Sequence, residues 1–378
     1  MKVNKKVLHV STDNKFIEGA KNTFKDIFEE NTFLILKPPF LSLKFVKNDN
    51  NTITKNYYSF IYNLKSKFYK KFDFIVLHDM NYFNSRLVLK HPELNYIYIH
   101  WGYEIHNNNY ILSVFNQLRY KKTSLNSKYQ FFQLVLNFLK YGILNTDFNN
   151  EKKIFLAINR INQIHLFNNE FEKFRDIGLL NKNCLLLPKF TYYPCSNKIL
   201  NYKKKLNTVI VGNCAVRGIN HLEIFKKISK LKFDKVIVPL SYGSTKYADE
   251  IITFGSAIFK DSFLPITEFL SILNYKKLFE EATFFIDDSV RQRAFGNILI
   301  CLELGIKIYL NCNNPIYEFL ISHQVSVFKT IDLQNNILIP LNEEEILKNK
   351  NFVKLNYSHV GVVNNWTSFF KRKTVFID

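Results

Sequence analysis

At 378 residues the chain has room for two domains with separate cores, and 47% hydrophobic with 16% aromatic residues excludes a disordered polypeptide. Its 52 Lys and Arg against 32 Asp and Glu leave a formal net charge of +20, which suits a nucleic acid, an anionic membrane surface or phosphorylated substrates without choosing among them. No apolar run reaches bilayer length, the basic start has too short an apolar run for a signal peptide, and five cysteines without a C-x-x-C pair support neither a disulfide framework nor a cysteine zinc site.

In chain order, Val7–Val10 reads as a first strand that enters a polar loop with Asp13 and Asn14. Phe33–Leu36, Phe74–Leu77, Tyr96–Ile99, Ile154–Ala157 and Cys184–Leu187 are further short, β-rich runs. Between them lie the helical candidates Phe16–Glu29, Tyr57–Tyr69 and Phe131–Tyr141. His100, Trp101, Gly102, Glu104 and His106 follow the strand at 96–99, and one carboxylate with two imidazoles supplies the materials of a general base. A functional cleft loop comes first among the readings, a structural loop with solvated polar groups second, and a metal site a distant third, since the spacing matches no helical metal motif. Asp13 and Asn14 face the same cleft if the sheet is parallel. Arg119, Lys121, Lys122 and Lys128 are interleaved with Tyr120, Tyr129, Phe131 and Phe132. Such mixing suits a bilayer interface or single-stranded nucleic acid; a solvated basic face with its rings in the core is the plainer alternative.

Thr191–Asn207, with Pro194, several Asn and the run Lys203–Lys205, interrupts the pattern and reads as a linker. After it come strand Thr208–Val211, helix His221–Leu231, strand Lys235–Pro239, helix Lys246–Phe254 and a helix near Glu268–Phe279. Strand Thr283–Ile286, helix Ile298–Leu304 and strand Lys307–Leu310 follow, and this alternation implies parallel sheets packed between helices. Two of the loops carry anion chemistry. In Val209–His221, Gly212 permits a tight turn, while Arg217 and His221, four residues apart, share a helical face or its entrance and suit one diphosphate. Neither G-x-G-x-x-G nor a Walker loop is present. In the second loop Arg291, Gln292 and Arg293 precede Gly296 and Asn297 at a helix entrance, where guanidinium forks and backbone N–H groups both favour phosphate oxygens. An ordinary loop with solvated arginines fits that segment alone equally well. Asp287 and Asp288 resemble a magnesium-holding pair, but neighbours on an extended chain point opposite ways, so capping or solvation is expected.

The motifs VGNCAVRGINH, VPLSYG at Val238–Gly243, RQRAFGN, LNCNNP at Leu310–Pro315 and WGYE at Trp101–Glu104 resemble those of the TDP-N-acetylfucosamine:lipid II N-acetylfucosaminyltransferases, glycosyltransferase family 56 (4-alpha-L-fucosyltransferase-like). The likeness is strong over residues 206–320. It implies an α/β fold of GT-B type, two Rossmann-like domains with parallel sheets facing across a cleft. The donor nucleotide sugar would bind the carboxyl-terminal domain and an undecaprenyl-diphosphate-linked acceptor the amino-terminal one. Residues matching the family pattern are Gly212, Asn213, Arg217, His221, Pro239, Tyr242, Arg291, Gln292, Gly296, Asn311, Asn314 and Pro315; Ala215, Ser241, Ala294 and Phe295 depart from it and leave sugar and base open.

The expected layout is an acceptor domain over 1–192, a linker over 193–207, a donor domain over 208–350 and a helical segment over 351–378 that packs back on the first domain. Glu104 is the first candidate base and Asp13 the second. Donor contacts are expected from Gly212, Asn213, Arg217, His221, Tyr242, Arg291, Gln292, Arg293, Gly296 and Asn297, and acceptor or membrane contacts from His100, Trp101, Gly102, Arg119, Lys121 and Lys122. The expected enzyme moves a deoxy-amino sugar onto a lipid-linked saccharide at the cytoplasmic face of the inner membrane, as a peripheral protein without metal or other cofactor. A nucleotide-sugar epimerase and a non-catalytic basic nucleic-acid-binding protein are the alternatives.

Overall fold

The computed structural model describes residues 1–12, 16–38, 46, 49–106, 108–115, 146–192, 207–333 and 339–374. These residues form two compact units: 1–115, 146–192 and 359–374 in the first, 207–333 and 339–358 in the second.

The first unit is built on a parallel sheet of seven strands. These are β1 (Val3–Ser11), β2 (Phe28–Lys37), β3 (Thr52–Asn56), β4 (Phe74–Leu77), β5 (Tyr96–Ile99), β6 (Gln163–His165) and β7 (Leu185–Leu187), in the order β3-β2-β1-β4-β5-β6-β7. Successive side chains on a strand point to opposite faces. Leu8, Val10, Leu34, Leu36, Ile75 and Leu77 therefore join one core, and Val7, Phe33, Ile35 and Val76 the other. Burial on both faces is why the central strands read as unbroken apolar runs. The second core is closed by the helix His359–Thr374, whose Val362, Trp366 and Phe370 recur every fourth residue. Trp366 is fully buried and its indole N–H donates to the Pro188 carbonyl at 3.1 Å.

The second unit carries β8 (Thr208–Val211), β9 (Lys235–Pro239), β10 (Phe263–Ile266), β11 (Phe284–Asp287), β12 (Lys307–Leu310) and β13 (Phe328–Lys329). Their order is β10-β9-β8-β11-β12-β13, and every pairing is parallel. In both sheets the chain winds outward to one side of its first strand, then returns to the other. The reversal falls between β1 and β4 in one unit and between β8 and β11 in the other, and crevices at such reversals are where open α/β sheets bind ligands.

Several expectations are corrected. Ile154–Ala157 is no strand: it lies in the helix Thr146–Ile158, which packs on the helix Tyr82–Lys90, and β6 takes the neighbouring place in the sheet. A short apolar run fits either element, and here the tertiary partner decided. Tyr57–Tyr69 divides into Tyr57–Tyr62 and Ser66–Tyr69. The second unit does not end at 350, because the helix Glu343–Tyr357, held by a capping box between Asn342 and Glu345, continues to Tyr357. The helical candidate at 131–141 lies outside the described residues.

Candidate functional site

At the reversal in the second unit, Gly212 leaves β8 with φ +67 and donates its N–H to the Ile286 carbonyl of β11 at 2.8 Å. A Cβ there would stand 2.7 Å from both Ile219 and His221, so the turn admits glycine alone. The loop is then tied to its neighbours on both sides. Toward β9, the Ala215 N–H donates to the Tyr242 carbonyl at 2.6 Å and the Ser244 N–H to the Ala215 carbonyl at 3.0 Å. Toward β11, the Asn220 amide donates to the Asp288 carbonyl at 2.9 Å, and the Arg293 guanidinium reaches Cys214 Sγ at 3.8 Å. Burial pushes the Cys214 thiol up, against the opposing charges of Arg293 and Arg291, so both arginines act on this turn. Just beyond, the helix Phe295–Leu304 starts from a left-handed Ala294 (φ 56) with no side-chain cap, and Gly296 faces open space. An uncapped helix start beside Arg293 offers positive charge and backbone donors to an anion.

Not every expected donor residue joins this cradle. Arg217 is ion-paired with Glu250 and lies 4.5 Å over the Tyr247 ring. His221 is wholly buried, with Nδ1 3.4 Å from the Tyr247 hydroxyl, and burial followed by the Arg293 charge lowers it to about 3. The expected Arg217–His221 pair therefore does not present itself to one diphosphate: a salt bridge holds one and the other sits as a neutral ring beneath the glycine turn. Asn297 donates to the Tyr275 hydroxyl at 2.8 Å, Tyr242 is 64% exposed, Asn213 and Arg291 are half-buried, and Gln292 is buried. Asp287 and Asp288 are neither caps nor solvated. Asp287 accepts from the N–H and hydroxyl of Ser289, and Asp288 from the Asn311 amide at 2.9 Å and the Thr330 hydroxyl. Asn314 caps the helix Pro315–Ser322 and donates to the Ser289 carbonyl at 2.9 Å, so Asn311 and Asn314 brace the arginine-bearing loop.

In the first unit Gly102 (φ 98) turns the chain after β5 and sends Glu104 inward, with a side chain 1% exposed. His100 Nδ1 lies 2.8 Å from the Tyr98 hydroxyl and 3.4 Å from the Glu104 carboxyl. Burial raises Glu104 to about 8, opposed by backbone hydrogen bonds and reinforced by the charge of Asp79. Glu104, the first candidate base, thus has its carboxyl facing protein rather than solvent. Lys189 is buried as well, its ammonium 4.4 Å from the Phe167 ring and 5.6 Å from Trp101; burial lowers it to about 7 against the pull of Glu170 and Glu104. His106 Nε2 stands 3.9 Å from Glu170.

Two further groups stand at the reversal of the first sheet. Asp79, at the carboxyl end of β4, accepts from the Thr12 hydroxyl and from the amides of Asn81 and Asn84 at 2.5–2.8 Å. Its signal was the polar pair His78–Asp79 directly after an apolar strand, much as Asp287–Asp288 stand at the end of β11. Beneath it, Tyr192 hydroxyl to His78 Nδ1 (2.8 Å), His78 Nε2 to His9 Nδ1 (3.0 Å) and His9 Nε2 to Asn31 (3.0 Å) make one buried chain. Desolvation lowers both imidazoles, His9 to about 3, so each ring is neutral and carries one proton along the chain. Asp13, Arg119, Lys121 and Lys122 lie outside the described residues. Among the described residues no three His, Cys, Asp or Glu side chains are grouped to hold a metal.

A family model described as 4-alpha-L-fucosyltransferase, glycosyl transferase group 56, matches residues 153–373, more than half of the chain. Among solved structures, sucrose-phosphate synthase from Thermosynechococcus elongatus is 8% identical, with 98% of this chain and 100% of that one covered at a TM-score of 0.66. HepE from Anabaena, solved in complex with UDP and glucose, is 10% identical, with 97% and 100% covered at a TM-score of 0.64. A UDP-N-acetylglucosamine 2-epimerase assigned in Listeria monocytogenes is 9% identical, with 100% and 98% covered at 0.52. At such identities the likeness speaks for the fold alone: two parallel-sheet α/β domains of GT-B type.

Proposed function

The chain belongs to the glycosyl transferase group 56 family and is a glycosyltransferase; from that premise we propose that it moves an N-acetylfucosamine-like deoxy-amino sugar from thymidine diphosphate to an undecaprenyl-diphosphate-linked saccharide. Surface polysaccharide or glycolipid assembly is the setting, at the cytoplasmic face of the inner membrane, with the enzyme attached peripherally. The second unit takes the donor. The observation that carries this is Arg293, which crosses from the β11 loop to Cys214 in the β8 loop where the strand order reverses, next to an uncapped helix start. HepE, of the same fold, holds UDP and glucose, an occupant of the proposed class.

In the reaction the sugar's C1–O bond to the diphosphate breaks, a C1–O bond to the acceptor forms, and the acceptor hydroxyl gives up its proton. Charge collects on the leaving diphosphate, and Arg293, Arg291 and the helix start are placed to neutralise it without a metal. The first unit takes the acceptor. A carboxyl held near 8, as Glu104 is, has the proton affinity required of a base near neutral pH. Glu104 remains the first candidate base in this reading, its carboxyl 3.4 Å from Nδ1 of the equally buried His100, and Asp13 is the second candidate.

Thermal shifts with thymidine and uridine diphosphate test the donor assignment. Saturating nucleotide should stabilise the protein, by about 2.7 kcal/mol at a hundred times Kd. Arg293→Ala should abolish that gain and slow transfer roughly 10²–10³-fold, with the ligand-free Tm unchanged. An Arg293→Ala protein stabilised as well as wild type would place the diphosphate elsewhere. Turnover of a nucleotide sugar with no lipid acceptor present would favour the epimerase reading instead.

A further inference from the structure

The connection between β3 and β4 has two faces of opposite character. Asn56 caps the helix Tyr57–Tyr62 by accepting from the Ser59 N–H at 2.7 Å. Phe60, Leu64 and Tyr69 are sunk in the core, 0–3% exposed, and Tyr57 stacks on Phe83 with ring centroids 4.1 Å apart. The segment is thus firmly seated, yet Tyr58 and Tyr62, one helical turn apart, stand 66% and 84% exposed. Lys65, Lys67, Lys70 and Lys71 follow within nine residues of Tyr62, all exposed. Lys70 approaches Glu93 only at 4.0 Å, and among the described residues Lys65, Lys67 and Lys71 have no acidic partner. Single exposed rings are ordinary on protein surfaces. Two on one helical face, followed by four exposed cations of which three have no acidic partner among the described residues, are a different matter.

We propose that Tyr58, Tyr62 and the lysines at 65, 67, 70 and 71 form the surface by which this chain docks on an anionic lipid bilayer. Tyrosine is apolar along its ring and polar at its tip, and so settles at headgroup depth, while lysine stems lie on apolar surface with the ammonium among lipid phosphates. No helix among the described residues is long and apolar enough to cross a membrane. The patch's position fits the task, because Tyr57 and its partner Phe83 lie beside the loop that carries Asp79 at the reversal of the first sheet. A bilayer met here would bring the lipid-diphosphate acceptor to that edge; this last point alone rests on the acceptor proposed above.

Co-sedimentation of the full chain with vesicles needs neither donor nor acceptor. Phosphatidylcholine vesicles should capture little protein, and vesicles containing phosphatidylglycerol should capture it with an affinity that falls as salt rises. Lys65→Gln, Lys67→Gln and Lys71→Gln combined should weaken capture about a hundredfold, and Tyr58→Ser with Tyr62→Ser should weaken it with the salt dependence retained. Lys230→Gln with Lys232→Gln, exposed in the second unit, removes charge elsewhere and should leave capture near wild type. All variants should keep the wild-type Tm and the shift by nucleotide, which separates this result from the fate of the donor assignment. Equal capture by both vesicle types, or undiminished capture of the Tyr and Lys variants, would overturn the proposal. So would displacement of vesicles by a single-stranded oligonucleotide whose own binding is lost in the same variants, since the patch would then serve nucleic acid.

Discussion

The two reversal points show opposite ways of handling charge. In the second unit the arginines stay near the surface, and neutral amides (Asn220, Asn311, Asn314) brace the loop that carries them. In the first unit the ionisable groups are sunk, so Glu104 and Lys189 are driven toward neutrality, to about 8 and about 7. Guanidinium keeps its charge at any ordinary pH, which suits a fixed counter-charge for a diphosphate. A buried carboxyl or amine instead gains or loses a proton near neutral pH, which suits proton handling and is a mark of functional sites. The same sheet topology thus holds permanent charge at one edge and adjustable charge at the other.

The largest effect that can separate the two units is on stability. Trp366→Ala should cost the first unit about 3–5 kcal/mol, because a fully buried indole packed against Phe24 and Phe190 is removed. The chain's two tryptophans, Trp101 and Trp366, both lie in the first unit, so fluorescence of the remaining Trp101 reads that unit alone under denaturant. A midpoint equal to wild type would show that the helix at 359–374 is not part of that unit's core.

The contrast in proton handling is tested by Glu104→Gln. The folded carboxyl is raised from 4.5 to about 8, so its contribution to stability is complete below 4.5 and is lost as pH rises through 8. Relative to wild type, the variant should therefore gain stability steadily between those values. Equal curves across that range would mean that Glu104 ionises freely and is not the tuned group described here. His9 and His221 have the opposite sign: each is lowered to about 3, so acid between 6.5 and 3 weakens both units alike.

The smallest effect sharpens the assignment within the second unit. Arg217→Ala removes a salt bridge whose Glu250 side is 41% exposed, and should cost no more than about 1 kcal/mol. The nucleotide-induced shift should survive, in contrast to Arg293→Ala. Loss of that shift in both variants would restore Arg217 to the anion site.

Most of the sheet was legible because β4, β5, β8, β9 and β12 are short apolar runs bounded by polar residues. Strands β3, β6, β10 and β13 escaped for physical reasons, β6 and β13 because they span only three and two residues. β3 is an edge strand with the polar run Thr52–Asn56, and β10 carries Pro265, which a sheet tolerates at an edge. Gly212 as a turn glycine and Arg291–Arg293 as a loop before a helix could be read because each sits in a few consecutive residues. Whether Arg217 faces an anion or Glu250 depends on a partner 33 residues away, and no local pattern carries that. The chain from Tyr192 through His78 and His9 to Asn31 joins residues brought together only by folding. Lys189 hides most completely, since a lysine after Leu187–Pro188 reads as ordinary surface.

The excursion of the polypeptide back to its starting unit bears on biosynthesis. A nascent chain emerging from the ribosome would have Phe24, Phe28 and Phe190 ready long before Val362, Trp366 and Phe370 arrive to cover them. Until residues 359–374 are made, that greasy surface has no lid of its own, and a chaperone or a stalled aggregate is the alternative cover. Translation must therefore run through the whole second unit before the first is finished.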